Sequence, residues 1–261
     1  MKAIKHIAVA LAFASAAALA QSATELRIGV EAEYPPFESK SASGQLQGFD
    51  IDVGNAICSK IKVKCVWVEN SFDGLIPALK ARKFDAIHSA MNITEERGRT
   101  IAFSDPIYSV PMQLVARKGS PITPTVAALK GKHVGVLQGS TMETYAKARW
   151  AGSGVDVASY ADQEQVYADL QAGRLDASLQ ESQQAIAGFL SRPAGKDFGF
   201  AGPAVEDAKI IGPGIGIGLR KNDEALRKQI NQAIAQLKAD GTLEGIARKY
   251  FQVPVISKTA P

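Results

Sequence analysis

The chain has 261 residues, 46% of them apolar and 21% charged, with a formal net charge of +4 at pH 7. This length and balance allow one large domain or two modest ones with cores of their own, and exclude a disordered chain. Lys2 and Lys5 lie at the extreme N-terminus, and the other Lys and Arg are scattered among acids without a basic run or interleaved aromatics, which excludes a nucleic-acid role.

The opening residues, MKAIKHIAVALAFASAAALAQSA, combine a Lys-flanked start, an apolar run over 7–14 and small residues at Ala18 and Ala20. This is the pattern of an export signal over 1–23, cleaved after Ala20 or Ala23. A membrane-spanning helix is the weaker reading, because the run falls short of the roughly 20 strongly apolar residues a span needs. Export implies an oxidising compartment for Cys58 and Cys65 in CSKIKVKC. The pair is expected as a local disulfide, worth about 2.5 kcal/mol for so short a loop in the chain-entropy model, with two free thiols as the alternative. His6, His88 and His133 lie too far apart in sequence to imply a metal centre, and no cofactor is expected.

Residues 26–30 (LRIGV) read as a strand, and Tyr34-Pro35-Pro36-Phe37 as a turn because proline fixes φ. A helix over 50–61, a strand over 64–68, a helix over 73–82 and a strand over 84–90 follow. This alternation predicts a covered, mainly parallel sheet. The pattern then repeats: HVGVL at 133–137 matches RIGVE at 27–31, and LQAGRLDAS at 170–178 echoes LKARKFDAI at 79–87. Two similar α/β units are expected, with Pro106, Pro111, Pro121 and Pro124 punctuating the passage between them. The final stretch, a strand-like GIGIGLRKND over 214–223 and helices over 224–238 and 242–250, is expected to return to the first unit. The units are thus 24–109 with 213–261, and 110–212. The glycines of GIGIG fall inside an alternating run and do not open a helix, so a dinucleotide site is not expected.

In such sheets ligands sit beyond the carboxyl ends of the strands. Four of these ends carry polar groups: Glu31 with Tyr34, the run from Ser89 to Arg97, Ser140 with Thr141, and Glu181. Ser140 and Glu143 form a capping box, and the free N–H groups of Thr141 and Met142 can face an anion; a plain helix cap is the alternative. Thr94 caps a second helix whose first turn suits Glu95 and Glu96. Arg97 works against that dipole unless an anion faces it, and its planar fork suits a carboxylate. The alternative is an ion pair with the neighbouring acids. His88 and His133 read as structural, and alternation should point His88 away from a ligand beside Ser89.

The blocks GFDIDVGNAIC, FDGLIPALKARKFDAI, ITEER, IAFSDPIY, LKGKHVGVLQGST, AGRLDASLQ and KADGTLEGIARKYF resemble the periplasmic amino-acid-binding proteins of ABC importers, above all the lysine/arginine/ornithine- and histidine-binding branch. The resemblance spans essentially the whole chain after the signal. It implies an α/β, two-lobed periplasmic-binding-protein fold of type II, joined by two hinge strands that close on one amino acid. It also implies a periplasmic monomer that hands its ligand to an inner-membrane permease and ATPase. Position by position, Arg97, Asn92 and the backbone at Thr141 would hold the α-carboxylate, and Glu181 the α-ammonium with Ser89 nearby. Tyr34 and Phe72 would sandwich the aliphatic stem, Glu31 would receive a cationic side-chain end, and Ala90, Leu137, Ser140 and Met142 would complete the cleft.

Arg97, Glu181 and Glu31 then sum to minus one, matching a dibasic amino acid; a neutral ligand would leave Glu31 enclosed without a partner, at a cost of several kcal/mol. Departures from the branch are Glu for Asp at Glu31 and Glu181, Ala and Asn for Ser at Ala90 and Asn92, and Met for Gln at Met142. They leave the choice among basic amino acids open. The alternatives are a binding protein for a neutral amino acid or an opine, a periplasmic enzyme resembling cyclohexadienyl dehydratases, and a receptor's sensor domain. No nucleophile set supports the enzyme, and no catalytic residue is expected.

Overall fold

The computed structural model describes residues 25–257. The export signal expected over 1–23 lies outside the described residues. Two five-stranded sheets organise the chain. In the first, Glu25–Val30 lies between Lys64–Glu69 and Ala86–Ile87, parallel to both. Gly218–Leu219 joins antiparallel between Ala86–Ile87 and Ala102–Phe103. The second sheet repeats the plan. His133–Leu137 is parallel to Asp156–Tyr160 and Ala177–Glu181, while Met112–Arg117 runs antiparallel between Ala177–Glu181 and Phe198–Phe200. Each sheet is therefore mainly parallel with one reversed strand, and burial is continuous over 28–30 and 134–137, as in strands covered on both faces.

The internal repeat has a packing cause. A Cβ on Gly29 would fall 2.4 Å from Phe84, and one on Gly135 would fall 2.4 Å from Leu175. Phe84 and Leu175 occupy the same place in the two repeated blocks, so in each unit a central-strand glycine makes room for the apolar residue leading into the neighbouring strand. The acids that follow also correspond. Asp85 accepts from the Arg27 N–H at 3.2 Å, and Asp176 from the His133 N–H at 2.9 Å.

The chain passes between the sheets twice, and the passes are hydrogen-bonded: Ile107 N donates to Ile215 O and Ile215 N to Tyr108 O, each at 2.8 Å. The strand expected over 214–223 is regular only at Gly218–Leu219, because its earlier part forms this crossing, with Ile215 bridging both Asn92 and Tyr108. The helices Glu224–Ala239 and Thr242–Tyr250 place Ile230, Leu237, Leu243 and Ile246 in one core with Phe49 and Ile57, so the end of the chain does return to the first sheet. The segment after them borders the crossing, with Ser109 N donating to Val255 O at 2.8 Å. The expected Cys58–Cys65 disulfide ties the helix Phe49–Lys60 to the strand Lys64–Glu69.

Candidate functional site

The carboxyl ends of the central strands of both sheets face each other and touch. The Tyr34 hydroxyl donates to the Glu181 carboxylate. Thr141 Oγ1 donates to Asn92 Oδ1 at 3.0 Å, Gln138 Nε2 to Asp73 Oδ2 at 3.0 Å, and Arg97 Nη2 to Gly139 O at 2.9 Å. Each bond links a residue of the first unit to one of the second. The cleft stands closed.

All the expected site residues except Glu31, Ser89 and Arg97 line one enclosed cavity: Tyr34, Phe72, Ala90, Asn92, Leu137, Ser140, Thr141, Met142 and Glu181. About 10 Å³ remains between them, room for about one water. A larger groove of about 690 Å³ opens beside it, between the helices Glu95–Thr100 and Thr141–Arg149, and Arg97 and Thr141 belong to its wall. Arg97 therefore stands at the mouth of the cavity.

At this end the capping expected from the sequence is present. Thr94 Oγ1 accepts from Arg97 N at 3.2 Å, and Ser140 Oγ accepts from Glu143 N at 3.1 Å. Glu143 Oε2 takes the Gly139 N–H at 2.6 Å. Arg97 does not pair with the adjacent acids. Its guanidinium donates to Asn92 O at 2.8 Å as well as to Gly139 O, and its central carbon lies 5.5 Å from the Phe72 ring centroid. Two of five N–H donors are thus spent on carbonyls, leaving fork donors for an anion. Burial draws Arg97 down to about 10, with the charges of Glu181 and Glu96 acting the other way. At neutral pH it stays a cation.

The opposite end is acidic. Burial lifts Glu181 to about 7, against the Tyr34 hydrogen bond and the charge of Arg97. Glu31 is buried, and its Oε1 accepts the Glu33 N–H at 3.1 Å. Burial pushes its carboxyl up to about 8, and the charges of Glu33 and Asp162 add to the rise. Among the described residues no Lys, Arg or His forms an ion pair with Glu31 or Glu181. Ser89 lies behind this end, its Oγ accepting from Glu31 N at 3.0 Å.

Sequence reasoning missed a second layer of acids. Glu38 is buried and accepts from Ser89 Oγ at 2.8 Å. Asp50, at a helix start where a dipole-favoured acid attracts no notice, accepts the Ala90 N–H at 2.7 Å and helps hold Ala90 at a left-handed φ of 42°. His88 is enclosed, as expected of a structural histidine. Packing alone does not satisfy it, however: Nδ1 lies 3.5 Å from Asp50 Oδ2, and neither ring nitrogen has a hydrogen-bond partner. Burial lowers its pKa, with Asp50 opposing. His133 instead lies at the surface, with Nδ1 2.7 Å from Asp156 Oδ2.

Two α/β lobes joined by a double crossing, meeting over a small cleft at their strand ends, define the two-lobed periplasmic-binding-protein fold. Residues 26–253 match the model of the bacterial extracellular solute-binding proteins, family 3, and the chain belongs to that family. It is 53% identical over 249 residues to the lysine/arginine/ornithine-binding periplasmic protein of Escherichia coli K12, covering 95% of each chain. It is 51% identical to the histidine-binding periplasmic protein of Salmonella typhimurium, covering 95% of this chain and 96% of that one. Among solved structures, an ancestral arginine-binding protein bound to arginine superposes with a TM-score of 0.82 at 35% identity, covering 88% of this chain and 99% of that one. These relatives are binding proteins, not enzymes.

Proposed function

We propose that the protein is an exported, periplasmic receptor for a cationic L-amino acid, with lysine, arginine, ornithine and histidine as the candidate ligands. It closes its lobes on the ligand and presents it to an inner-membrane ABC permease and its ATPase. The lobes are 24–109 with 213–261, and 110–212, a division that sheet membership supports. The observation that carries the reading is Glu31: a carboxyl buried without a cationic partner among the described residues, its N–H bonded to Ser89, the residue before Ala90 of the cavity wall, while the charge of Arg97 at the cavity's mouth offsets Glu181. In this assignment Arg97 and the N–H groups at the start of the helix Thr141–Arg149 hold the α-carboxylate, Glu181 holds the α-ammonium, Tyr34 and Phe72 flank the stem, and Glu31 meets the distal cation. The relatives' names support the ligand class.

On this reading the raised Glu31 carboxyl, rather than a trapped charge, sets selectivity. A carboxyl at about 8 is mostly protonated at pH 7, so a neutral ligand does not trap a bare charge. It forgoes the ion pair that arginine or lysine gains by driving the proton off. Closure is a population shift, because ligand bridging both lobes is bound fully only when they meet. Isothermal titration calorimetry with arginine, lysine, ornithine, histidine, glutamine and an opine tests the ligand class. Arg97→Ala should abolish binding of whichever binds the wild type, and micromolar affinity retained by that variant would sink the carboxylate assignment.

A further inference from the structure

The bond between Tyr34 and Glu181 joins the two lobes inside the cavity wall. Tyr34, from the short strand Glu33–Tyr34, donates its hydroxyl to Oε2 of Glu181, the last residue of the strand Ala177–Glu181. Both side chains are buried, and both line the cavity. The Tyr34 ring is held in place: its residue pairs with Glu38 in an antiparallel register, its carbonyl accepts from Phe37 N at 3.1 Å, and the ring stacks on that of Phe37 with centroids 5.9 Å apart. An ionised carboxylate offers about four lone-pair sites. Tyr34 takes one, and the rest stay open to an ammonium.

Flanking the ligand's stem uses the ring of Tyr34 and leaves its hydroxyl without a task. Among the described residues that hydroxyl is the one side-chain donor to Glu181. Burial, with Asp50 adding to it, favours the neutral Glu181 carboxyl; the Tyr34 bond leads the influences that hold it down, ahead of the residue's own backbone N–H and the charge of Arg97, and the balance stands at about 7. The phenol stays protonated, because burial and then the Glu181 charge push it well above its ordinary value. We propose that the Tyr34 hydroxyl is the positioning group of the α-ammonium site: reaching across the cleft, it completes Glu181 as the ammonium's acceptor only when the lobes meet. Closure strips water from Glu181, and the hydroxyl replaces one of the donors so lost, which couples closure to ammonium binding. This role rests on the proposed assignment of Glu181 to the α-ammonium and needs no cationic side chain on the ligand.

The test compares arginine with its analogue carrying a hydroxyl in place of the α-ammonium, on the full exported protein, by calorimetry and by competition for the weaker ligand. Tyr34→Phe keeps the ring and removes only the hydroxyl. It should weaken arginine roughly tenfold, the loss of a hydrogen bond to a charged group, and the analogue less than about threefold, because without an ammonium the enclosed Glu181 is met as a neutral acid. Tyr34→Leu removes the ring as well, and its further loss should fall on both ligands alike. Equal losses for the two ligands in Tyr34→Phe would show that the hydroxyl serves only stem packing, and arginine bound as tightly or more tightly would show that it competes for Glu181; either result overturns the role. Wild-type protein that binds a neutral amino acid but no cationic one would overturn the ligand class instead, and the same comparison, made with that amino acid and its hydroxy analogue, would still decide the role of Tyr34.

Discussion

Replacing Glu31 by Gln should move the stability of the free protein and its affinity for arginine in opposite directions. The Glu31 carboxyl stands at about 8, against an ordinary value of 4.5. At pH 7 the unfolded chain carries it ionised, while the folded protein must hold a proton on it. That costs about 3 kcal/mol at 1.36 kcal/mol per pH unit. Gln needs no proton and keeps an acceptor for the Glu33 N–H that now meets Oε1. The free variant should therefore gain up to about 3 kcal/mol, which for a chain of this size raises the melting temperature by as much as about 6–12 °C. Arginine, in contrast, loses a charge-assisted partner worth about 1.5–3 kcal/mol, and should bind roughly 10- to 150-fold more weakly. Thermal unfolding without ligand at pH 7, paired with calorimetry for arginine and glutamine, reads both signs. A free variant that melts lower than the wild type, or arginine and glutamine weakened alike, would refute the reasoning.

The same carboxyls set a pH dependence. Glu31 and Glu181 are raised to about 8 and about 7, so between pH 5 and 8 the folded protein binds more protons than the unfolded chain. The free protein should lose stability as pH rises through that window, while arginine affinity climbs toward pH 8 as fewer protons must be displaced. Melting temperatures and titrations at about pH 5, 6, 7 and 8 check this, and an affinity that falls with rising pH would contradict it. Gly139→Ala probes closure: φ is +75°, and a Cβ would lie 2.9 Å from Asp73 Cα across the cleft. The left-handed backbone costs an alanine about 1 kcal/mol in every conformation, whereas the clash arises only when the lobes meet. Binding should therefore fall by roughly tenfold beyond the stability loss, and affinity within about twofold of the wild type would show that the lobes do not seat there.

Much of this site is written locally. Arg97 stands out because a cation in the first turn of a capped helix needs a nearby anion, and Thr94 and Ser140 follow from capping rules that operate within four residues. The doubled α/β unit shows in the RIGVE and HVGVL blocks, and the closeness of Cys58 and Cys65 in the chain foretells their bond. The second layer leaves no such trace. Glu38 follows a proline turn like any polar residue, Asp50 passes for an acid favoured by a helix dipole, and Asp162 for an N-cap, which it also is.

By itself the sequence determined the elements, their alternation and the residues gathered at the strand ends, because hydrophobic period, capping and turn chemistry act over a few neighbours. Only the tertiary structure decided that Glu38 meets Ser89, that Asp50 sits beneath Ala90 and His88, and that Gln138 reaches Asp73. Those partners lie far apart in the chain: Glu38 with Ser89 and Asp50 with Ala90 and His88 meet through packing inside the first unit, and Gln138 with Asp73 only where the two units meet. The same packing supplies the burial that lifts Glu31 and Glu181, and burial is a property of the assembled fold that no local pattern carries.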